Sequence, residues 1–421
     1  MTEPTFAAAP SISSQGPLAG IRVLDMSRVL AGPWCGQMLG DLGAEVIKIE
    51  IPEKGDDTRG WGPPYLKDAH GETTAESAYF SCANRNKRSV AIDMTSAEGQ
   101  ALLRDLAAKS DVVLENFKFG GLKKYGLDYE SLSKINPRLV YCSITGFGQT
   151  GPLKAKAGYD FMIQALGGLM SVTGEMDHLP GGGPQKVGVA VVDVMTGMYA
   201  STAVLGALYA RTHTGRGQYI DLALFDVQVA FLANQTANYL VSGEPPVRLG
   251  NAHPSIVPYQ AFKTATDYII LAVGNDGQFA RFCELAGHSQ AASDPRFSTN
   301  AARVTNRATL VPMVAEWMLA KPAAQWLAEL DIANVPCGAI SNMAQVFEME
   351  QTKARGLRVE LPHPLAGSVP VCANPIRYSD TPVTYRAPPP LLGEGTNDVL
   401  SRVLGLSADD IEGLKAKGVV G

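Results

Sequence analysis

The sequence has no C-x-x-C pair, no H-E-x-x-H and no grouping of its six histidines with its six cysteines, which argues against a metal site. It has no lysine- or arginine-rich block, and its net charge is −5, so a sequence-blind nucleic-acid partner is not expected. G-x-S-x-G is missing, which removes the simplest hydrolase reading. No P-loop occurs either, because Gly181-Gly-Gly183 lacks the lysine and hydroxyl residue that hold phosphate. The opening, MTEPTFAAAPSISSQGP, carries Glu3 and lacks a basic region followed by an apolar one, so it reads as a flexible leader rather than a signal peptide. The most apolar later stretch, residues 187–209, is interrupted by Asp193 and fits a buried helix better than a membrane span. Dispersed cysteines suit free thiols in a reducing compartment. The expectation is a cytoplasmic globular protein without a nucleic-acid, membrane or metal partner.

What is present is alternation. Residues 21–26 read as a strand, 31–43 as a helix and 44–50 as a second strand, a βαβ unit whose parallel strands need a crossover. The turn after the first strand, Ser27-Arg-Val-Leu-Ala-Gly-Pro33, is not the G-x-G-x-x-G of dinucleotide binding. Further strands at 88–93, 111–116 and 139–144 alternate with helices at 96–109 and 129–135, which predicts a doubly wound α/β sheet. Beyond residue 150, helices are expected at 159–170, 191–211 and 225–241, with a strand at 218–224. Thr214-Gly-Arg-Gly217 stops the long helix, since glycine accepts the left-handed conformation of a helix end. After Gly243-Glu-Pro-Pro246, a strand at 268–273 and helices at 277–286, 307–319 and 323–333 suggest a small α+β domain. The tail has short strands, prolines and a final helix at 408–417. The expected division is a large domain over 1–222, a linker over 223–253, a small domain over 254–346, and a return to the large domain over 347–421.

Asp193 is the odd residue. It stands among Val191, Val192, Val194 and Met195, where a carboxylate needs partners. Two readings are open: an acid stabilised in the first turn of a helix by its dipole, or a carboxylate nucleophile. Both require an aspartate that ionises while partly buried.

A set of short motifs decides what the sequence resembles. Pro17-Leu-Ala-Gly-Ile-Arg-Val-Leu-Asp25, Ala31-Gly-Pro33 and Leu42-Gly-Ala-Glu-Val-Ile-Lys-Ile-Glu50 come first. Asn84-Arg-Asn-Lys-Arg-Ser89, Asp111-Val-Val-Leu-Glu-Asn-Phe117, Asn136-Pro-Arg138, Thr214-Gly-Arg-Gly-Gln218 and Pro390-Leu-Leu-Gly-Glu394 follow. In order and spacing, from residue 17 onward, they resemble family III CoA-transferases, which include formyl-CoA and carnitine CoA-transferases and the α-methylacyl-CoA racemases. The segment from Gly250 through His253-Pro-Ser-Ile-Val-Pro-Tyr259 to Lys263 is similar to transferases that use succinyl-CoA and short dicarboxylates such as glutarate.

The resemblance implies an interlocked homodimer and a coenzyme A thioester as substrate, with a carboxylic acid as the other substrate and no permanently bound cofactor. It makes Asp193, in Asp193-Val-Met-Thr-Gly-Met198, the nucleophile that forms a mixed anhydride. It assigns CoA contacts to Val29, Leu30, Ala31, Ile92, Asn116, Phe117, Lys124, Tyr159 and Asp160. Trp61 and Tyr79 fall on acyl-pocket positions, and Arg59, Arg248 and His253 are candidates for holding a second carboxylate. Some positions depart from the pattern. Lys124 and Ile51 stand where relatives carry arginine, and Leu30 replaces a glutamine, which argues against oxalate. In Gly158-Tyr159-Asp160 a tyrosine replaces the racemase histidine, and a phenol with a reference pKa of about 10 is a poor base at neutral pH. Two rivals remain: a racemase-type isomerase, and a non-catalytic CoA-binding protein.

Overall fold

The computed structural model describes residues 16–421. The leader expected at the start lies, through residue 15, outside the described residues.

The chain alternates as its pattern requires. β1 (Arg22–Asp25) leads through α1 (Ala31–Asp41) to β2 (Glu45–Glu50). A hairpin of β3 (Tyr65–Lys67) and β4 (Thr73–Ser77) and the single turn α2 (Ala78–Ser81) precede β5 (Lys87–Ala91). Then come α3 (Ala97–Ala108), β6 (Val112–Glu115), α4 (Tyr129–Ile135) and β7 (Val140–Thr145). After α5 (Asp160–Leu166), α6 (Leu169–Val172) and α7 (Val191–Thr214), β8 (Tyr219–Ala223) closes the sheet and α8 (Leu224–Phe231) follows. The sheet order is β5-β2-β1-β6-β7-β8 with all neighbours parallel. Counted within the sheet, this is the 3-2-1-4-5-6 winding of a doubly wound fold.

Strand residues alternate between two cores. Val23, Val46, Val112, Val140 and Cys142 face Cys35 and Leu39 of α1 and Ala200 and Val204 of α7. Leu24, Ile47, Val90 and Val113 face Leu102, Leu103 and Leu106 of α3. A parallel sheet covered on both sides has to be apolar on both sides, which is why these strands read as near-continuous apolar runs. α7 is long and apolar enough to cross a membrane by length and composition, but it spends its buried side on this core. It ends where expected, at Gly215, whose φ is +69° and whose N–H reaches the Arg211 carbonyl.

Several charges are buried beneath the sheet edges, each with a partner. Lys87 bonds Asp25 at 2.9 Å, the Asn84 side chain and the Pro33 carbonyl. Asp41, fully buried, takes a two-pronged hydrogen bond from Arg85 (2.9 and 2.6 Å), one from the Asn86 amide (2.8 Å) and one from the Asn374 amide (3.0 Å).

The described residues form two compact units: 16–167, 188–233 and 351–421 in the first, and 168–187 and 234–350 in the second. This differs from the expected division. Residues 168–187 pack with the second unit, where Arg248 pairs with Asp177 and the Gly250 N–H bonds the Gly174 carbonyl. The expected linker at 223–253 is no linker: its start is α8, packed on the first unit, and a helix, Asn234–Ser242, follows in the second. The single helix expected over 225–241 breaks at Ala233, whose φ is +45°, and the units part there. The helix expected at 159–170 is likewise cut in two, at Gly168 with φ +89°. The second unit has a three-stranded antiparallel sheet around a core that includes Phe262, Leu271, Phe282 and Trp326.

Candidate active site

In a 3-2-1-4-5-6 sheet the winding reverses between β1 and its neighbour β6, and the loops leaving their carboxyl ends open a crevice. Here those loops are residues 26–30 and 116–119, and they wall a cavity of about 170 Å³. Their backbones are pinned to each other. Asn116 accepts the Arg28 N–H at 2.8 Å and donates to the Arg28 carbonyl at 2.6 Å. The next residue, Val29, has φ +70°, a region that a β-branched residue rarely adopts. Asp56 holds its N–H, and Lys48 bonds both Asp56 (2.8 Å) and the Ser27 carbonyl (3.0 Å).

The far side of the cavity includes residues 144–146, Lys154, residues 156–159, Asp193 and Leu224. Asp193 is the third residue of α7, and the packing of α7 on α1 sets its position. Gly197, one turn later, allows that approach: a Cβ there would lie 2.7 Å from the Ala31 carbonyl oxygen and 2.9 Å from Cβ of Trp34. Burial pushes the Asp193 carboxyl up to about 7, and the nearby charge of Asp160 adds to the shift. The positive end of the α7 dipole works the other way, towards the ionised form.

Four cations share the wall with Asp193 and Asp57: Arg28, Lys118, Lys154 and Lys156. Aromatic faces hold three of them. Arg28 lies over Phe117, Lys154 over Phe119 and Lys156 over Phe147, at 5.4, 4.7 and 5.8 Å. A polyanion can lie along such a wall with an electrophilic end at Asp193.

The comparisons agree with this geometry. The model of CoA-transferase family III matches residues 18–396. The chain belongs to CoA-transferase family III. With its relatives named as CoA-transferases, it is an enzyme that transfers coenzyme A. Within family III it is 50% identical over 387 residues to a succinate–glutarate CoA-transferase of Agrobacterium fabrum, covering 92% of this chain and 96% of that one. It is 42% identical over 404 residues to the succinyl-CoA:glutarate CoA-transferase of Homo sapiens, covering 96% and 90%. A CAIB/BAIF family protein from Brucella suis, solved by crystallography, superposes with a TM-score of 0.81 at 50% identity, covering 93% and 100%.

Of the residues singled out from the family III resemblance, Val29, Leu30, Ala31, Asn116, Phe117, Tyr159 and Asp193 line one cavity. Tyr79 is not among the lining residues, although burial and then the charge of Asp193 push its hydroxyl up to about 12. Trp61 meets Tyr79 edge to face at 5.1 Å. Others fall elsewhere. Ile92 is in the core, and a β-bridge ties it to Val420. Lys124 sits over the Tyr125 ring, outside the cavity lining. Asp160 turns to the backbone of α7. Arg59 does not fit the role of a carboxylate receptor: Glu50 takes two of its N–H groups at 2.8 Å, and Glu76 and the Pro390 carbonyl take others. Arg248 and His253 belong to the second unit. Arg248 is paired with Asp177, whereas His253 accepts the Ser255 N–H at Nδ1, which leaves Nε2–H as a donor. Burial, then Arg307, lowers the His253 pKa and favours that neutral form. The cations Arg28, Lys118, Lys154 and Lys156 were missed in the sequence. A signal did exist in Lys154-Ala-Lys156, two residues before the Gly-Tyr-Asp triplet.

Proposed function

We propose that the chain moves coenzyme A from succinyl-CoA to a short dicarboxylic acid such as glutarate, with Asp193 as covalent nucleophile. The observation that carries this reading is the Asp193 carboxylate at the edge of a cavity walled by four cations. The substrates named for the relatives in Agrobacterium fabrum and Homo sapiens support the choice of donor and acceptor.

In this scheme an Asp193 oxygen attacks the thioester carbon, the C–S bond breaks, and CoA leaves as thiolate. The thiolate then attacks the aspartyl carbonyl of the mixed anhydride, releasing the donor acid and leaving CoA on Asp193. The acceptor carboxylate attacks that thioester, a second anhydride forms, and the thiolate takes the new acyl group and restores Asp193. Each step exchanges a carboxylate for a thiolate, so the sequence is redox-neutral and uses no permanently bound cofactor. Arg28, Lys118, Lys154 and Lys156 would hold the CoA phosphates. Of the residues offered for the distal carboxylate, Arg59 is engaged by Glu50, Arg248 is paired with Asp177, and His253 keeps an Nε2–H to donate. The active form in this reading is a homodimer, as the family resemblance implies.

The test compares kcat/KM for glutarate, succinate and itaconate with that for butyrate and valerate, succinyl-CoA being the common donor. A distal charge-assisted bond of about 1.5–3 kcal/mol favours the dicarboxylates roughly ten- to hundredfold. Equal values for the monocarboxylates would remove the second anion site from the proposal.

A further inference from the structure

An α-helix begins with backbone N–H groups that have no partner within it, and an N-cap side chain normally accepts from the second or third of them. The N-cap of α7 is Ala190, whose side chain has no acceptor to offer. The missing acceptor comes from another helix. Oδ1 of Asp160, the first residue of α5, accepts the N–H of Val192, second in α7, at 2.8 Å and that of Asp193, third in α7, at 3.4 Å. Its other oxygen is held at 2.7 Å by the side-chain amide of Gln164, one turn along α5 and fully buried.

We propose that Asp160 is a positioning residue for Asp193: it caps α7 from outside and fixes the backbone that carries the nucleophile. The inference rests on Asp193 being that nucleophile. The cap occupies the two amides onto which an aspartate in the first turn could itself fold back, so the Asp193 carboxylate stays turned to the cavity. The same arrangement sets a second carboxylate beside Asp193, and its charge adds to burial in raising the Asp193 pKa. The ionisable groups that line the cavity with Asp193 are Arg28, Asp57, Lys118, Lys154, Lys156 and Tyr159, and the charge of Asp193 also reaches Tyr79 of α2. Asp160 therefore works through geometry at one oxygen and through charge at the whole group, and the two effects can be separated.

The experiment uses Asp160→Ala, which removes cap and charge, and Asp160→Asn, which removes the charge but keeps an acceptor oxygen. Asp193→Ala is the control. For each, kcat and KM are measured from pH 5 to 9, together with the Kd for CoA. The expected result for Asp160→Ala is a kcat lowered roughly ten- to hundredfold, as for a misplaced catalytic group, with the Kd for CoA within threefold of wild type. Asp160→Asn is expected to recover kcat to within about threefold above pH 8, with its acid limb moved to lower pH. If Asp160→Ala keeps kcat within twofold, or loses only CoA affinity while Asp193→Ala is inactive, the positioning role is overturned and the nucleophile stands. If Asp193→Ala stays active, the proposed function fails first. Should Asp160→Ala not fold, Asp160→Asn decides alone: a lost kcat with an unmoved acid limb would overturn the role.

Discussion

Asp56 reaches the Val29 N–H with both carboxylate oxygens, at 3.3 and 3.2 Å, and so holds a valine at φ +70° on the cavity wall. The left-handed region costs a β-branched residue on the order of 1–3 kcal/mol, so the surroundings must impose it. The imposing element is an ion pair with both side chains fully buried, Lys48 to Asp56 at 2.8 Å. Although burial opposes its ionisation, the charge of Lys48 keeps the Asp56 carboxyl down at about 2. Lys48→Met leaves that carboxylate buried without its counter-charge, held only by the N–H groups of Val29 and Thr58 and the Thr58 hydroxyl. Expected are a loss of about 3–5 kcal/mol of stability, read by urea unfolding, and weaker CoA binding in whatever folds.

Asp193→Ala and Asp193→Asn should fold and lose transfer by several powers of ten, as for a missing covalent nucleophile. Stability gives an independent readout. The folded-state pKa of Asp193 is raised from 3.8 to about 7, so the folded chain holds this proton more tightly than the unfolded one. That contribution to stability is present below about pH 4 and is lost as pH rises through 7. At pH 8 the asparagine variant should therefore unfold at a urea midpoint equal to or above that of wild type. A lower midpoint would mark Asp193 as a structural acid instead.

Wild-type kcat/KM should rise with pH through about 7, since only the ionised Asp193 attacks the thioester. A stopped assay of succinyl-CoA and glutarate over pH 5 to 9 checks this, and a rate flat from 5 to 8 would contradict the shifted carboxyl.

Lys154→Ala and Lys156→Ala should each weaken CoA about three- to tenfold, a modest effect because both lysines are exposed to solvent. Titration calorimetry at low and high salt is the measurement, and the difference from wild type should shrink as salt screens the contact.

The sequence was most readable where one period governs a whole element. Leu102, Leu103 and Leu106 lie on the buried face of α3 as their spacing demands, and Gly215 ends α7 for the reason glycine ends helices. Asp193 stood out because a carboxylate in an apolar run needs an explanation, and it lines the cavity. Side-chain partners brought from a distance were not readable. Arg59 is a candidate for a substrate carboxylate in the sequence, but Glu50, nine residues earlier, and Pro390, far downstream, occupy it. Nor does periodicity reveal that Asp160 faces a helix start 32 residues away. The break at Ala233 was hidden because an alanine carries no turn signal.

Asp41 also bears on the order in which the protein can be completed. The ribosome delivers Asp41, Arg85 and Asn86 early, but Asn374, which donates the fourth hydrogen bond, is 333 positions downstream of Asp41. The carbonyl of Thr384, which takes the Asn86 side-chain N–H, and the N–H groups of Arg386 and Ala387, which donate to the Asn86 side-chain oxygen, arrive later still. Until then the Asp41 carboxylate has only Arg85 and Asn86 as side-chain partners. Translation thus has to run past the whole second unit before the hydrogen bonds around Asp41 and Asn86 can be completed.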